Sequence, residues 1–168
     1  MHYTSWDRSD TDRPALVEED GVRTLAVFHG DHADVGEEQW KVDTDKQHGI
    51  SLRRPDGREY LLHGDVTSDK ELKAFLDGRS FLLVAESSKD WIIDDVDGNK
   101  VGQFTAAQRG VRKAIVEYDG DVEIDDAEAV ALGYFSRMIL EHRLQRTGTA
   151  LIAVLVLLTI IALLAFIF

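Results

Sequence analysis

DVEIDDAEAVALGYFSRMILEHRLQR, residues 121–146, is the stretch on which the fold turns. Asp125 and Glu128 stand at the spacing of a helix amino-terminal cap, and an apolar run follows. Ala127, Ala129, Val130, Ala131, Leu132, Tyr134, Phe135, Met138 and Ile139 cover nearly every direction around a helix. A surface helix keeps a polar face, so a helix apolar almost all round needs a sheath. Eight or more strands closed into a barrel can supply one, with the helix filling the interior.

The preceding chain carries the material for that sheath. VRTLAVF (22–28), QWKV (39–42), GISLR (49–53), REYLL (58–62), RSFLLVA (79–85), DWIID (90–94), KVGQF (100–104) and RKAIVEY (112–118) have strand length and β-rich composition. Asp56-Gly57, Asp97-Gly98-Asn99 and Asp119-Gly120 supply tight turns between them, which predicts an antiparallel meander. One segment reads otherwise. SDKELKAFLDG (68–78) pairs Ser68 with Glu71 as a capping box, sets Leu72, Phe75 and Leu76 on one face and stops at Gly78, predicting a short helix.

After residue 147 the composition changes. GTALIAVLVLLTIIALLAFIF, residues 148–168, holds no charged side chain, and as a helix it would extend roughly 31 Å, the thickness of a bilayer core. His142, Arg143 and Arg146 precede it, and the positive-inside rule would place the body in the cytoplasm. The expected organisation is a flexible acidic segment over 1–20, a cytosolic barrel over 21–142 with its central helix at about 126–142, and a transmembrane helix over 147–168. The fold class expected is mainly β with helices: an antiparallel β-barrel around a central hydrophobic helix, followed by a single transmembrane helix. That organisation describes a tail-anchored, single-pass protein of the cell membrane with its amino-terminal domain cytoplasmic.

Nineteen Lys and Arg against 31 Asp and Glu give a net charge of −12, which argues against a nucleic-acid partner or an anionic lipid surface, both of which need clustered cations. With no cysteine, thiolate metal sites, disulfides and cysteine nucleophiles are excluded.

Strands in series, a short helix part-way (68–78), an aromatic strand followed by an Asp-Gly turn (WIIDDVDGNKVG, 91–102) and a final apolar helix opened by acidic residues (DDAEAVALGYF, 125–135) resemble the tubby C-terminal-like superfamily, which includes LURP-one-related and phospholipid-scramblase proteins. The resemblance covers roughly residues 20–142. It implies a β-barrel threaded by a hydrophobic helix, in a family linked variously to phosphoinositide binding and lipid scrambling. The basic surface that tubby proteins turn toward phosphoinositides has no counterpart here, so only the architecture is carried over.

Signals for chemistry are sparse. FHGDHAD (28–34) sets His29, Asp31, His32 and Asp34 close together, and imidazoles with carboxylates are ligands for mid-row metals. Its spacing favours a solvated turn, so these four stand only as metal candidates. DDVDGNK (94–100) lacks both end ligands of a calcium loop and reads as a hairpin turn. No Walker or dinucleotide glycine motif occurs, no carboxylate pair is set up for acid–base catalysis, and no cofactor is expected.

Trp40 and Trp91, inside strands, are expected in the core, and Trp6, in the lead-in, is the candidate partner contact. Arg143 and Arg146 are expected to flank the membrane boundary. The function expected is therefore non-catalytic: a membrane-anchored accessory protein whose cytosolic β-barrel docks on integral membrane proteins, with the bilayer a partner through the carboxy-terminal helix. One-span accessory subunits of respiratory complexes offer an analogy. The alternatives are a lipid- or small-ligand-binding barrel and a metal enzyme using His29 and His32.

Overall fold

Alternation of inward apolar and outward polar residues builds the wall of the molecule. The strands are β1 (Tyr3–Asp7), β2 (Ala15–Glu18), β3 (Arg23–Phe28), β4 (His32–Val35), β5 (Glu38–Asp45), β6 (Gly49–Arg53), β7 (Glu59–His63), β8 (Glu71–Leu76), β9 (Arg79–Ala85), β10 (Asp90–Asp95), β11 (Lys100–Thr105) and β12 (Ile115–Tyr118). In this computed structural model the described residues are 1–7, 9–19, 21–106, 114–120 and 122–167, and the side chains of 144–151, 153 and 164–167 lie outside the description. Each strand pairs antiparallel with its neighbours in sequence, and β1 closes on β12 through Tyr3 opposite Glu117 and Thr4 opposite Val116. The result is a closed twelve-stranded meander, and closure leaves no open strand edge to pair with other chains.

Trp40, Ile50, Leu52, Tyr60, Leu62, Leu72, Leu83, Trp91, Ile93, Phe104 and Val116 point inward and form one core. Down its middle runs α1 (Asp126–Ile167). Every residue from Glu128 to Arg137 is buried. Ten consecutive helical positions sweep nearly three turns, so no face of this segment meets water. Only a surrounding wall produces that pattern, and the sheath expected from the sequence is present.

The start of α1 is fixed by ions and caps. Glu128 N donates to Asp125 Oδ1 at 2.7 Å and Asp125 N to Glu128 Oε2 at 3.2 Å, the expected reciprocal cap. Arg79 Nη1 holds the buried Glu128 carboxylate at 2.8 Å, tying the helix to β9. Arg23 grips both carboxylate oxygens of Asp126, tying it to β3. Both acids sit in the first turn, where the helix dipole favours negative charge.

Three expectations are corrected. The single transmembrane helix over 147–168 is not supported: among the described residues no helix is long and apolar enough to cross a membrane. Within that span the described side chains are those of 152 and 154–163. The rest of the expected span lies outside the described side chains. Nor is the segment a separate element, because α1 continues without a break from the core through Ile167. The membrane, transmembrane, tail-anchored and single-pass descriptions lose their basis with it.

Residues 1–20, expected to be flexible, contribute β1 and β2 and complete the closure. The short helix expected at 68–78 is instead strand β8. Leu72, Ala74 and Leu76 face inward while Glu71, Lys73 and Phe75 face outward, a period of two that overrides the capping box. Asp65 and Asp69 shape the loop before it, with Asp65 Oδ1 accepting from Thr67 N at 2.7 Å.

Two glycines sit where the wall and the helix are tightest. A Cβ on Gly102 of β11 would lie 2.3 Å from the Glu117 carbonyl oxygen of β12, whereas one on Gly133 of α1 would lie 2.8 Å from the methyls of Leu16. A backbone carbonyl in a sheet ladder cannot yield without breaking the ladder, but a leucine end can rotate. Gly102→Ala is expected to cost about 2–3 kcal/mol. Gly133→Ala, which gains about 1 kcal/mol of helix propensity, is expected to cost less than ~1 kcal/mol net. Urea denaturation midpoints of the two variants check this ordering.

Candidate functional site

Two regions gather the residues singled out in the sequence: the end of the barrel where α1 leaves it, and the β3–β4 turn.

At the exit, Arg143, expected to flank a membrane boundary, grips the protein itself. Arg143 stacks its guanidinium 4.6 Å from the centre of the Trp91 ring, donates from Nε to the Val66 carbonyl at 3.1 Å and from Nη2 to the Asp69 carbonyl. It thereby pins α1 to the loop between β7 and β8. Arg137 lies 4.5 Å over the Trp6 ring and pairs with Glu141 one turn on. Trp6, expected as an exposed contact, is 3 % exposed in β1 and belongs to the core. Its ring packs on Phe28, which stacks on Tyr134 of α1, so the residue anchors the wall to the helix.

Burial, and then the charge of Lys46, pull the His142 imidazole below its ordinary value, which leaves it neutral at pH 7 and no part of a basic flank. The Arg146 side chain lies outside the described residues.

Beyond Arg143 the helix continues for 24 residues, about 36 Å. Ile152, Val154, Leu155, Leu158, Ile161 and Leu163 are exposed there, at 53–63 %. Thr159 returns its hydroxyl to the Leu155 carbonyl at 2.8 Å, so even this polar side chain is turned back on the helix. Such a run of exposed large apolar residues is the kind of surface that binds something.

The second region follows from strand register. Val27 stands opposite Asp34 and Phe28 opposite Ala33, so the two-residue turn Gly30-Asp31 brings His29 across from His32. Phe28 and Ala33 point into the core, which turns His29, His32 and Asp34 together onto the outer face. The two imidazoles stack at 4.7 Å with planes 7° apart. His29 Nε2 lies 2.9 Å from Asp34 Oδ2, and His32 Nδ1 lies 2.8 Å from Asp31 Oδ1.

The bond to His32 holds the Asp31 carboxyl below its ordinary range. For Asp34, burial pushes upward, but hydrogen bonds from Gln39 and His29 bring the net shift downward. One ligand atom from each of His29, His32 and Asp34 falls within 4.8 Å of the others. Of the four candidates, then, three converge and Asp31 backs one of them. The sequence hid this because β4 was not recognised as a strand, and without it the pairing across the turn cannot be read.

The Asp94–Lys100 segment is the hairpin turn expected. Asp95 Oδ1 accepts from Asp97 N and Asn99 N at 2.9 and 2.8 Å, using the oxygens a cation would need.

No protein-family model, no curated protein and no solved structure matches this chain. The class that the coordinates define is a closed twelve-stranded antiparallel β-barrel threaded by a hydrophobic helix. The tubby-like resemblance reaches that architecture and no further.

Removing the Arg143 clamp tests how α1 is held at the exit. Arg143→Ala loses a ring contact and two charge-assisted hydrogen bonds, and is expected to lower stability by about 1–3 kcal/mol. Arg143→Lys should recover only part, since an ammonium cannot lie flat on Trp91 while reaching two carbonyls. Thermal melts of the three proteins give the comparison.

Proposed function

We propose that this chain is a non-catalytic accessory protein that docks, through the apolar end of α1, on the helices of an integral membrane partner. The observation that carries the reading is the contrast along α1. Residues 128–137 are wholly enclosed by the barrel, while Ile152–Leu163 present nine large apolar side chains to the outside among the described residues. Inside the wall the helix is a structural axis; outside it, the same element is an apolar stalk without a cover of its own.

Helices of an integral membrane protein that project beyond the bilayer are a partner of matching chemistry, offering apolar faces able to pack along a bare helix. Residues 148–168 bring no charged side chain to such a contact. Docking would hold the barrel at the membrane surface, where confinement raises its effective concentration near the partner. Kinship with the tubby-like superfamily is part of this proposal, supported by the helix-threaded barrel. The lipid-binding alternative gains no specific support, since the barrel axis is occupied by Val130, Leu132, Phe135 and Ile139.

Extraction of the full chain in mild detergent, followed by identification of co-purifying proteins, tests the proposal. A stoichiometric integral membrane protein is expected, and it should be lost from Leu155→Asp and Leu158→Asp while the melting temperature of the barrel is unchanged. Recovery of the chain alone would contradict the reading. So would binding to protein-free liposomes as tight as to membranes holding the partner, since the stalk would then be served by lipid.

A further inference from the structure

The β3–β4 turn carries an inference that is independent of the docking proposal. We propose that His29, His32 and Asp34 form a binding site for one divalent first-row transition-metal ion, with Asp31 holding the His32 ring in place.

The geometry begins with the register. A two-residue turn sets His29 and His32 directly across the strand pair and Asp34 one diagonal step away on the same face. No long-range folding accident is needed to assemble the site, because the hairpin itself aligns the three side chains. Their ligand atoms lie within 4.8 Å of one another. Atoms bound to a single ion at about 2.0–2.2 Å can be at most ~4.4 Å apart. Small rotations of three side chains that are 18, 35 and 49 % exposed close that gap.

The chemistry selects the ion. Two imidazoles and one carboxylate suit Zn²⁺, Co²⁺, Ni²⁺ or Cu²⁺, whereas Ca²⁺ and Mg²⁺ want an all-oxygen cage. Asp31 supplies a further feature. Its carboxylate occupies Nδ1 of His32, which leaves Nε2 as the metal-facing nitrogen; a carboxylate in this position orients a ligand histidine and raises its basicity. Gln39 Nε2 stands 3.5 Å from Asp34 Oδ1, bracing the third ligand from β5. Three protein ligands leave the remaining coordination positions to water. The net charge of −12 favours the approach of a cation from any direction.

Surface His–Asp pairs without metal are common, and this protein has one for comparison. His48 Nδ1 lies 2.9 Å from Asp45 Oδ2, but it has no second imidazole beside it. What sets the β3–β4 turn apart is the co-facial pair of rings, each with its own carboxylate.

The test uses the full chain, stripped with a chelator and titrated with ZnCl₂ by calorimetry and with CoCl₂ by visible absorption. Saturation at one ion per chain is expected, with Co²⁺ ligand-field bands that report nitrogen coordination. His29→Ala and His32→Ala should each weaken binding by more than tenfold, and Asp31→Asn by about 10–100-fold. His48→Ala should leave it unchanged. All four side chains are at the surface, and far-ultraviolet circular dichroism checks that each variant keeps its barrel. Absence of saturable binding overturns the proposal, as does equal weakening by His48→Ala. Saturable binding of Ca²⁺ without Co²⁺ bands overturns the choice of ion. Wild-type affinity in Asp31→Asn removes Asp31 from the site.

Discussion

Everything in this molecule answers to one constraint: ten consecutive residues of α1, Glu128 to Arg137, have no face that can be left in water. A helix apolar in every direction gains its stability only by being surrounded, and a single chain of this length can surround it only with a closed sheet. The twelve-strand count, the pairing of β1 with β12 and the inward set of large side chains are consequences of that need. The polar exceptions are accounted for at the ends. Glu128 is buried against Arg79, and Arg137 lies on Trp6, so the helix enters and leaves the apolar interior through paired charges. Buried ion pairs of this type contribute little net stability, but they are costly to break. They fix the depth at which α1 sits.

The same helix changes role along its length. Arg143 marks the change, being bound to Trp91, Val66 and Asp69 at the rim. Before it, side chains are covered by strands; after it, the described apolar residues are bare. One continuous helix thus runs from the barrel interior into an exposed apolar stalk. The His29–His32 turn adds a feature of another kind, polar and on the outer face of the wall.

Much of the wall was legible. Each of the eight segments read as strands contains a strand, the start of the last one (112–113) lying outside the described residues, and the Asp125–Glu128 cap is formed as expected. The misses have physical reasons. YTSWD and ALVE were passed over because both are short and lie in a polar, acidic stretch, and β1 completes its pairing only with β12, more than 110 residues away. In β8 the Ser68–Glu71 spacing and Gly78 imitate helix punctuation, while the decisive signal, alternation of Leu72, Ala74 and Leu76 with Glu71, Lys73 and Phe75, was blurred by the apolar Phe75 on the outer face. Trp6 was misplaced for the same reason as its strand. The His29, His32 and Asp34 cluster was visible as residues but not as a constellation, because stacking of His29 on His32 is a property of pairing across a turn. The tail was read from its apolar length, the cations before it and the presence of an earlier helix able to fill the core. Hydropathy could not indicate that it continues the core helix.

The central claim is that the first part of α1 is enclosed by the barrel, and thiol accessibility tests it most directly, since the chain has no cysteine of its own. Ser136→Cys places a near-isosteric thiol at a position 0 % exposed on α1, and Val96→Cys places one at a site 76 % exposed in the β10–β11 turn. In native protein the thiol at 96 should react with a water-soluble maleimide at once. The thiol at 136 should remain unlabelled until denaturant unfolds the barrel. Equal labelling rates at the two positions in native protein would contradict the enclosed helix, and with it the account of why the twelve strands close.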